Sequence, residues 1–248
     1  MKQITSRKNP KIVHMKKLGQ SREYRYETGQ FLCDGEKLLL EALAHGSATC
    51  VLMSDGCKIK VPEDIETYFV PYDVLESVSP MKNPQSVLFS CSIPLHTGEL
   101  EPGGRHIILE NIQDPGNLGT IIRSANAFDI DSIVLVGSCA DPYNPKSVRA
   151  SMGAIFRQRI VRADYDDIRK LKGKGFCLIG ADLDRDSRNI SDIELDNSII
   201  IIGSEGSGLS DDILSLCDEK VIIPMNPDSE SLNAAVAASI IMWELTKR

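Results

Sequence analysis

Polar residues in three short segments of the C-terminal half could carry chemistry, because each segment stands where a strand-like run gives way to a helical pattern. The segments are Asn111 to Arg123, Ile202 to Ser210 and Ile223 to Asn233. Ligands bind outside the carboxyl ends of strands in open α/β sheets. The spacing therefore predicts one composite site, and its candidate polar side chains are Asn117, Arg123, Glu205, Ser231 and Asn233.

Glycines dominate the middle segment, which reads Gly203-Ser-Glu-Gly-Ser-Gly208. Glycine lets the backbone adopt positive φ angles or approach a ligand closely. The order differs from the Gly-x-Gly-x-x-Gly of dinucleotide folds, and no Walker loop occurs in the sequence, which argues against an enzyme that binds nucleotide phosphates. Glu205 is predicted to face a site; alternatively, it caps a helix that starts near Ser210.

The other polar residues also have purely structural interpretations. Ser231, or Ser229 before it, could be an ordinary N-cap of the final helix. Arg123 could form a surface ion pair with Asp129 or Asp131. The residue pattern alone leaves these alternatives open.

The three segments, with Pro145 to Ala154 between the first two, resemble the motifs of the SpoU (TrmH-type) RNA 2′-O-ribose methyltransferases of the SPOUT superfamily in order and spacing. The resemblance implies S-adenosylmethionine as cofactor. It also implies an α/β fold with a C-terminal SPOUT-type parallel sheet, a deep trefoil knot and a small N-terminal α/β/α substrate-binding domain. Sequence pattern alone predicts an unknotted sheet, because knotted chains are nearly absent among folds.

By the same resemblance, the cofactor pocket is lined by Gly203, Ile223, Met225 and Leu232, largely through backbone atoms. Arg123 would lie at the reacting 2′-hydroxyl. A guanidinium stays protonated in proteins, so we favour a charged clamp that stabilises the developing alkoxide over full proton abstraction.

Hydrogen bonds from Asn117, Ser231 and Asn233 would fix the hydroxyl and the motif loops, and Glu205 would help to hold the catalytic constellation. The sequence departs from the family pattern at Pro227, where glycine is common. Because proline fixes φ, this loop is expected to contact the cofactor differently.

The 248 residues, 42% hydrophobic and 25% charged, suit one large or two small folded domains. Strands alternating with helices before residue 96 predict a small α/β/α domain, which resembles the RNA-binding domain of many SpoU enzymes. Residues 96–104 are rich in breakers and read as a linker. The predicted domains are therefore residues 1–95 for RNA binding, the linker 96–104, and residues 105–248 for catalysis.

Positive charge is concentrated at the start of an otherwise acidic chain, whose formal net charge is -7. Such asymmetry predicts a footprint for RNA phosphates, although a solvated helix face is the alternative. The basic residues before Glu27 are Lys2, Arg7, Lys8, Lys11, Lys16, Lys17, Arg22 and Arg25. Among these, the predicted RNA-binding residues are Arg7, Lys8, Lys11, Lys16 and Lys17.

Seven scattered cysteines without a Cys-x-x-Cys pair predict inert thiols, with neither a disulfide framework nor a metal site. The absence of a signal-like or membrane-spanning apolar run favours a soluble cytoplasmic protein. The family resemblance implies a homodimer joined through the C-terminal domain, and we expect an RNA 2′-O-ribose methyltransferase that acts on rRNA. The alternatives are a tRNA enzyme and a noncatalytic RNA-binding or ribosome-assembly protein on the same fold.

Overall fold

Strands and helices alternate along the chain, and the computed structural model describes residues 2–96, 99–184, 186–204, 206–226 and 231–247. The strands are β1 (Lys2–Gln3), β2 (Gln30–Asp34), β3 (Ala48–Met53), β4 (Glu66–Phe69), β5 (Val87–Ser92), β6 (His106–Glu110), β7 (Ser132–Val136), β8 (Arg159–Ala163), β9 (Cys177–Ala181), β10 (Arg188–Asn189), β11 (Ser198–Ile202) and β12 (Glu219–Ile222). The α-helices are α1 (Pro10–Gln20), α2 (Arg22–Thr28), α3 (Glu36–Ala44), α4 (Tyr72–Glu76), α5 (Pro115–Ala127), α6 (Pro145–Ala150), α7 (Tyr165–Gly173), α8 (Asp211–Leu214) and α9 (Ala234–Thr246).

The chain folds into two units that do not follow the linear sequence. The first unit comprises residues 1–95 and 141–157, and the second comprises residues 96–140 and 158–248. The inserted segment 141–157 carries α6, which packs against β2 of the first unit. The first unit is therefore discontinuous in sequence.

A mixed sheet forms the centre of the first unit, with strand order β1-β4-β3-β5-β2. Strand β5 runs antiparallel to both β2 and β3, whereas β3 and β4 are parallel. Helices α1 and α4 contribute Met15, Leu18 and Leu75 to a core that also contains Leu52 and Leu88 of the sheet. Asn9 caps α1 and Pro10 occupies its first turn, where a missing N–H costs nothing.

A buried ion pair ties the inserted segment to α2 within the first unit. Arg25 Nη2 and Nε donate to Asp141 Oδ2 at 2.6 and 2.9 Å, and Arg25 Nη1 donates to the Leu18 carbonyl at 2.7 Å. The side chains of Arg25 and Asp141 are only 3% and 5% exposed. Arg25 lies in the basic segment but is not one of the predicted RNA-binding residues, and its guanidinium is unavailable to phosphates because it is buried and engaged.

The second unit is built on a parallel sheet with strand order β10-β12-β9-β11-β6-β7-β8. Every residue of β11 is buried, which fits a strand covered by helices on both faces. The prediction of a parallel α/β sheet is confirmed. The trefoil knot implied by the family resemblance stays a prediction.

Several elements differ from the sequence-based expectation. A helix expected over residues 146–156 ends at Ala150, because Met152 and Gly153 take the left-handed region with φ of 51° and 94°. The final helix begins at Ala234 rather than at Ser231. The sequence pattern does not predict strand β8, and it offers helices in the region of α1 and α2 only as the alternative of a solvated helix face.

The seven cysteines are free thiols. Burial raises the pKa of Cys50 and of Cys217 to about 11, so both remain protonated at neutral pH. No helix in the described ranges is long and apolar enough to cross a membrane.

Candidate active site

The first motif forms the turn between β6 and α5. Asn111 follows the strand with a positive φ of 56°, and Asp114 then caps α5. The Asp114 carboxylate accepts a hydrogen bond of 2.8 Å from the Asn117 backbone N–H. This cap places Asn117 in the first turn of α5, directly beyond the carboxyl end of β6.

The second motif is a tight loop whose two ends hydrogen-bond to each other. Ser204 N–H donates to the Gly208 carbonyl at 3.1 Å, and Gly208 N–H donates back to the Ser204 carbonyl at 3.0 Å. A Cβ on Gly203 would stand only 2.2 Å from the Gly208 carbonyl atoms, so only glycine fits there. Ser210 caps α8 after the loop. Glu205, the predicted catalytic residue of this loop, lies outside the described residues.

The third motif begins after β12 and leads into α9. Asn233 caps this helix, and its Oδ1 accepts from Ala235 N–H at 3.0 Å and from Val236 N–H at 3.3 Å. The interpretation of Ser231 as the cap is therefore wrong, while Ser229 lies outside the described part of the chain. Asn233 Nδ2 also donates to Asn117 Oδ1 at 3.1 Å. This bond joins the first motif to the third.

An apolar cavity of about 440 Å³ lies between the second and third motifs. Its wall includes all of the predicted cofactor-binding residues, and Ser231 lines it as well. Apolar side chains of β11, β12 and α9 complete the wall. The residues of the two motifs that line this apolar cavity include Gly203, Ser204, Ile223, Met225, Ser231 and Leu232.

A polar cavity of about 600 Å³ adjoins the apolar one. Its lining brings Asn117 together with other polar groups of the first motif and with the glycine-rich loop. The two cavities share the loop residues Ser204, Gly206 and Ser207 and the helix residue Ala234. The residues that define the polar cavity are Asn111, Gln113, Asp114, Asn117, Ser138, Ser204 and Ser207.

Arg123 is exposed on α5 and lines neither cavity. It stands six residues after Asn117, which places it about 9 Å further along the helix and on another face. In the described part of the chain it forms no ion pair with Asp129 or Asp131. The structure thus places Asn117 and Ser231 in the walls of the cavities and Asn233 in contact with Asn117, and it leaves Arg123 on the surface of the same unit.

Glu110 is a buried residue between the first two motifs that sequence reasoning missed. It ends β6, is fully buried, and lies directly before Asn111. Its carboxylate accepts hydrogen bonds from Tyr165 Oη, Ser210 Oγ and Ser210 N–H at 2.9, 2.6 and 2.9 Å. The available signal was a single acidic residue that closes an otherwise apolar strand.

The predicted RNA-binding residues differ in how they are engaged. Arg7 pairs with Asp73 at 2.9 Å, and Lys11 pairs with Glu66, a contact that raises the lysine pKa. Lys17 lies over the Tyr24 ring at 5.3 Å. Lys8 and Lys16 are exposed, and their ammonium groups have no partner among the residues described. The latter two are therefore the ammonium groups most available to phosphates.

Comparison with known proteins identifies both parts of the chain. The SpoU rRNA Methylase family model matches residues 104–243, and an MRM3-like substrate binding domain matches residues 9–88. The 23S rRNA (guanosine(2553)-2′-O)-methyltransferase RlmP of Bacillus subtilis (strain 168) is 34% identical over 251 residues, which cover 99% of both chains. The 23S rRNA (uridine(2479)-2′-O)-methyltransferase of Streptomyces viridochromogenes is 29% identical and covers 100% of this chain and 92% of its own.

Solved structures show the same similarity. The SpoU methyltransferase AviRb from Streptomyces viridochromogenes, in complex with AdoMet, superposes with a TM-score of 0.85 at 27% identity and covers 97% of this chain and 98% of its own. An AdoMet-bound rRNA methyltransferase from Sinorhizobium meliloti gives a TM-score of 0.87 at 26% identity, with 99% and 97% of the two chains covered. The expectation drawn from the three motifs is confirmed.

Proposed function

Because the chain belongs to the SpoU rRNA methylase family, we propose that it is an S-adenosylmethionine-dependent enzyme that methylates a ribose 2′-hydroxyl in ribosomal RNA. The observation that carries this proposal is the junction of the three motifs. The Asn233 to Asn117 hydrogen bond and the shared glycine-rich loop place the apolar and polar cavities side by side. Such an arrangement suits a methyl donor in one cavity and an acceptor nucleotide in the other.

The apolar cavity fits S-adenosylmethionine in size and in chemistry. Its volume lies within the range of small-molecule sites, about 300 to 1,000 Å³, and its lining is mainly apolar. The lack of a side chain at Gly203 brings backbone close to the cavity, where main-chain groups can recognise polar edges. Ile223, Met225 and Leu232 would hold the cofactor with Gly203. The bound cofactor supplies a methyl group already activated by a sulfonium centre.

The polar cavity supplies hydrogen-bonding groups for a ribose. Asn117 and Asn233 hold each other through their side-chain amides, so each amide arrives with its orientation set. Ser231 lines the neighbouring apolar cavity. We assign these three residues to positioning the 2′-hydroxyl for in-line attack, because correct orientation alone removes a large part of a bimolecular barrier.

Arg123 is proposed to act on the developing alkoxide as a positive charge. Its guanidinium has no competing carboxylate in the described ranges and remains protonated, so it can stabilise negative charge without giving up a proton. Glu205 is proposed to support the catalytic loop in which it stands. Both roles rest on the family's motifs rather than on a contact in this chain.

We further propose that the enzyme is a homodimer joined through its second unit. Helix α9 carries an apolar stripe in which Val236 and Trp243 are 48% and 50% exposed and Ile240 is partly buried. Helix α5 packs beside α9 through a Ser124 to Ser239 hydroxyl bond of 2.8 Å, which puts the helix of Arg123 next to the stripe. Trp243 is the only tryptophan, so its fluorescence on dilution reports on this interface directly.

The first unit is proposed to recruit ribosomal RNA, in keeping with the substrate-binding domain that its sequence matches. Both relatives named above carry 23S rRNA in their names, which favours rRNA over tRNA as the substrate. Residues 1–95 and 105–248 are accordingly proposed as the recruiting and catalytic domains, and the cytoplasm as the place of action.

A methyl-transfer assay tests the proposal. The purified full chain is titrated with S-adenosylmethionine by calorimetry and then incubated with labelled cofactor and rRNA from a strain that lacks the enzyme. We expect cofactor binding and one labelled 2′-O-methylnucleoside in rRNA but not in tRNA. RNA binding without cofactor binding would instead assign the chain to noncatalytic ribosome assembly.

A further inference from the structure

A buried carboxylate at the end of β6 connects the first two motifs. Glu110 is fully buried, and all three of its hydrogen bonds come from groups that follow other strands of the sheet. Ser210 contributes two of them, through N–H at 2.9 Å and Oγ at 2.6 Å, and Tyr165 contributes the third at 2.9 Å. In the described ranges no cationic side chain pairs with Glu110.

A buried carboxylate without a cation is costly unless its oxygens are satisfied by donors. Here both oxygens are satisfied: Ser210 N–H bonds to Oε2, and both hydroxyl groups bond to Oε1. Hydrogen bonds to a charged acceptor are about twice as strong as neutral ones. The arrangement therefore fixes Ser210 against the end of β6 in addition to its role as the cap of α8.

Ser210 stands two residues after Gly208, which closes the glycine-rich loop by its backbone bonds to Ser204. This loop forms the shared wall of the apolar and polar cavities. Movement of Ser210 would carry the Gly208 end of the loop with it and would loosen the close approach of Gly203 to the Gly208 carbonyl.

The same carboxylate stands beside the first motif. Asn111, the next residue, uses its Oδ1 to accept from Ser138 N–H at 2.7 Å, and a Cβ on Gly137 would come within 2.4 Å of that oxygen. Burial raises the pKa of the Tyr165 phenol, and the bond to Glu110 raises it further, so this hydroxyl keeps its proton and remains a donor. The ends of β6 and β7 and the starts of α7 and α8 thus meet around Glu110.

We propose that Glu110 is a positioning residue for methyl transfer: through Ser210 it holds the Gly208 end of the loop against Gly203 and Ser204, in the arrangement that binds the cofactor. The inference rests on the proposed function, but Glu110 is not one of the polar residues that the three motifs predict for the site. It predicts that loss of the Glu110 acceptors weakens cofactor binding while RNA binding stays the same.

Glu110→Met tests this, because methionine keeps the length and apolar bulk but offers no oxygen acceptor. We expect its S-adenosylmethionine dissociation constant to rise about tenfold or more, as the loss of a hydrogen bond to a charged group implies. Glu110→Gln should recover part of the affinity, since its carbonyl can accept from Ser210 N–H while the two hydroxyls turn to accept from its amide. Tyr165→Phe removes one bond only and should have the smallest effect; it also serves if Glu110→Met does not fold.

Ser132→Ala is the matched control. Ser132 is fully buried in the same sheet, but its hydroxyl bonds to His106 Nδ1 at the amino ends of β6 and β7, at the opposite edge from the loop. We expect it to lower the melting temperature without changing cofactor affinity. Equal losses of affinity in the control and in the Glu110 variants would overturn the proposal, as would normal affinity in both Glu110 variants.

Hydrogen exchange tests the positioning role of Glu110 in the absence of ligand. In Glu110→Met the amides of Ser204, Gly208 and Ser210 should exchange at least about tenfold faster, because the network that holds their acceptors is lost. Unchanged exchange would refute the positioning role. If the unaltered protein failed to bind S-adenosylmethionine, the proposed function would be refuted. The exchange experiment would still test whether Glu110 holds the loop.

Discussion

Replacement of Gly203 by alanine is the most direct test of the glycine-rich loop. A Cβ at this position would lie 2.2 Å from the carbonyl carbon and oxygen of Gly208 and 2.6 Å from the Leu209 nitrogen, whereas real Cβ contacts essentially never fall below 3.0 Å. All three atoms belong to the backbone, so rotation of a side chain cannot relieve the clash. The Gly208 end of the loop must therefore move by about 0.8 Å to reach that minimum.

A backbone displacement of this size is enough to reduce binding and catalysis. Misplacement by about 1 Å can cost roughly 100-fold in rate, which corresponds to about 2.7 kcal/mol. We expect Gly203→Ala to weaken S-adenosylmethionine binding and kcat/KM by about that factor, and to lower the free energy of unfolding by about 1 to 3 kcal/mol through overpacking. Calorimetric titration, steady-state methyl transfer and urea denaturation measure the three quantities.

Gly173→Ala, at the exposed end of α7 in the same unit and outside both cavities, is the matched control. No atom lies within 4 Å of the position that its Cβ would occupy, and its φ lies outside the left-handed region. The control should bind the cofactor within about twofold of the unaltered protein, since exposed substitutions away from special features change stability by about 0.5 kcal/mol or less. Normal affinity in Gly203→Ala would show that the loop adapts freely and would refute the reasoning.

Three further predictions concern charged residues. Arg123→Ala should nearly abolish methyl transfer with little change in S-adenosylmethionine affinity, and Arg123→Lys should remain severely defective because lysine lacks the planar fork of donors. Lys8→Glu with Lys16→Glu should weaken rRNA binding and reduce its log-log salt slope by about two, since each lost phosphate contact reduces the slope by roughly one. Arg25→Met should lower the free energy of unfolding by about 3 to 5 kcal/mol, because it leaves a buried carboxylate without its partner, whereas the exposed Arg22→Met should cost about 1 kcal/mol or less.

Each of these predictions has a result that contradicts it. Turnover at the normal rate in Arg123→Ala, with labelled cofactor and rRNA, would remove the catalytic assignment, and activity in Arg123→Lys that rises with pH would favour a true base. The control for Lys8→Glu with Lys16→Glu is Lys170→Glu with Lys174→Glu, which makes the same charge change in the second unit. Equal effects of the two pairs on the salt slope would mean that only the net charge of the protein matters. Equal urea midpoints for the Arg25 and Arg22 variants would show that the buried pair contributes nothing.

Local sequence pattern predicted the parts of the fold that depend on neighbouring residues. The run from Ser198 to Ile202 is apolar at every central position, which suits a strand buried on both faces, and it forms β11. The turn at Asp114 and Pro115 carries the cap and the helix-compatible φ that begin α5. The cofactor-binding residues, which the family resemblance rather than the pattern implies, line one cavity because they follow strands whose carboxyl ends meet at one edge of the sheet.

Long-range partners were beyond the reach of local pattern. Arg25 reads as one more surface cation, and only folding brings it to Asp141, 116 positions further along the chain. The packing of residues 141–157 with the first unit depends on similar contacts between distant residues. Glu110 gave only a weak signal, because one acidic residue at a strand end does not reveal that three donors will surround it.

The discontinuity of the first unit limits how this enzyme can be rearranged by recombination. A crossover in the region 96–104 would exchange residues 1–95 but leave behind the segment 141–157, whose Tyr143, Val148 and Ile155 are 5%, 1% and 1% exposed. A foreign RNA-recruiting module would then have to supply matching apolar surface and a guanidinium for Asp141. Functional chimaeras should therefore require residues 1–95 and 141–157 to come from the same parent. RNA specificity would then be exchanged between enzymes only when both segments are exchanged together.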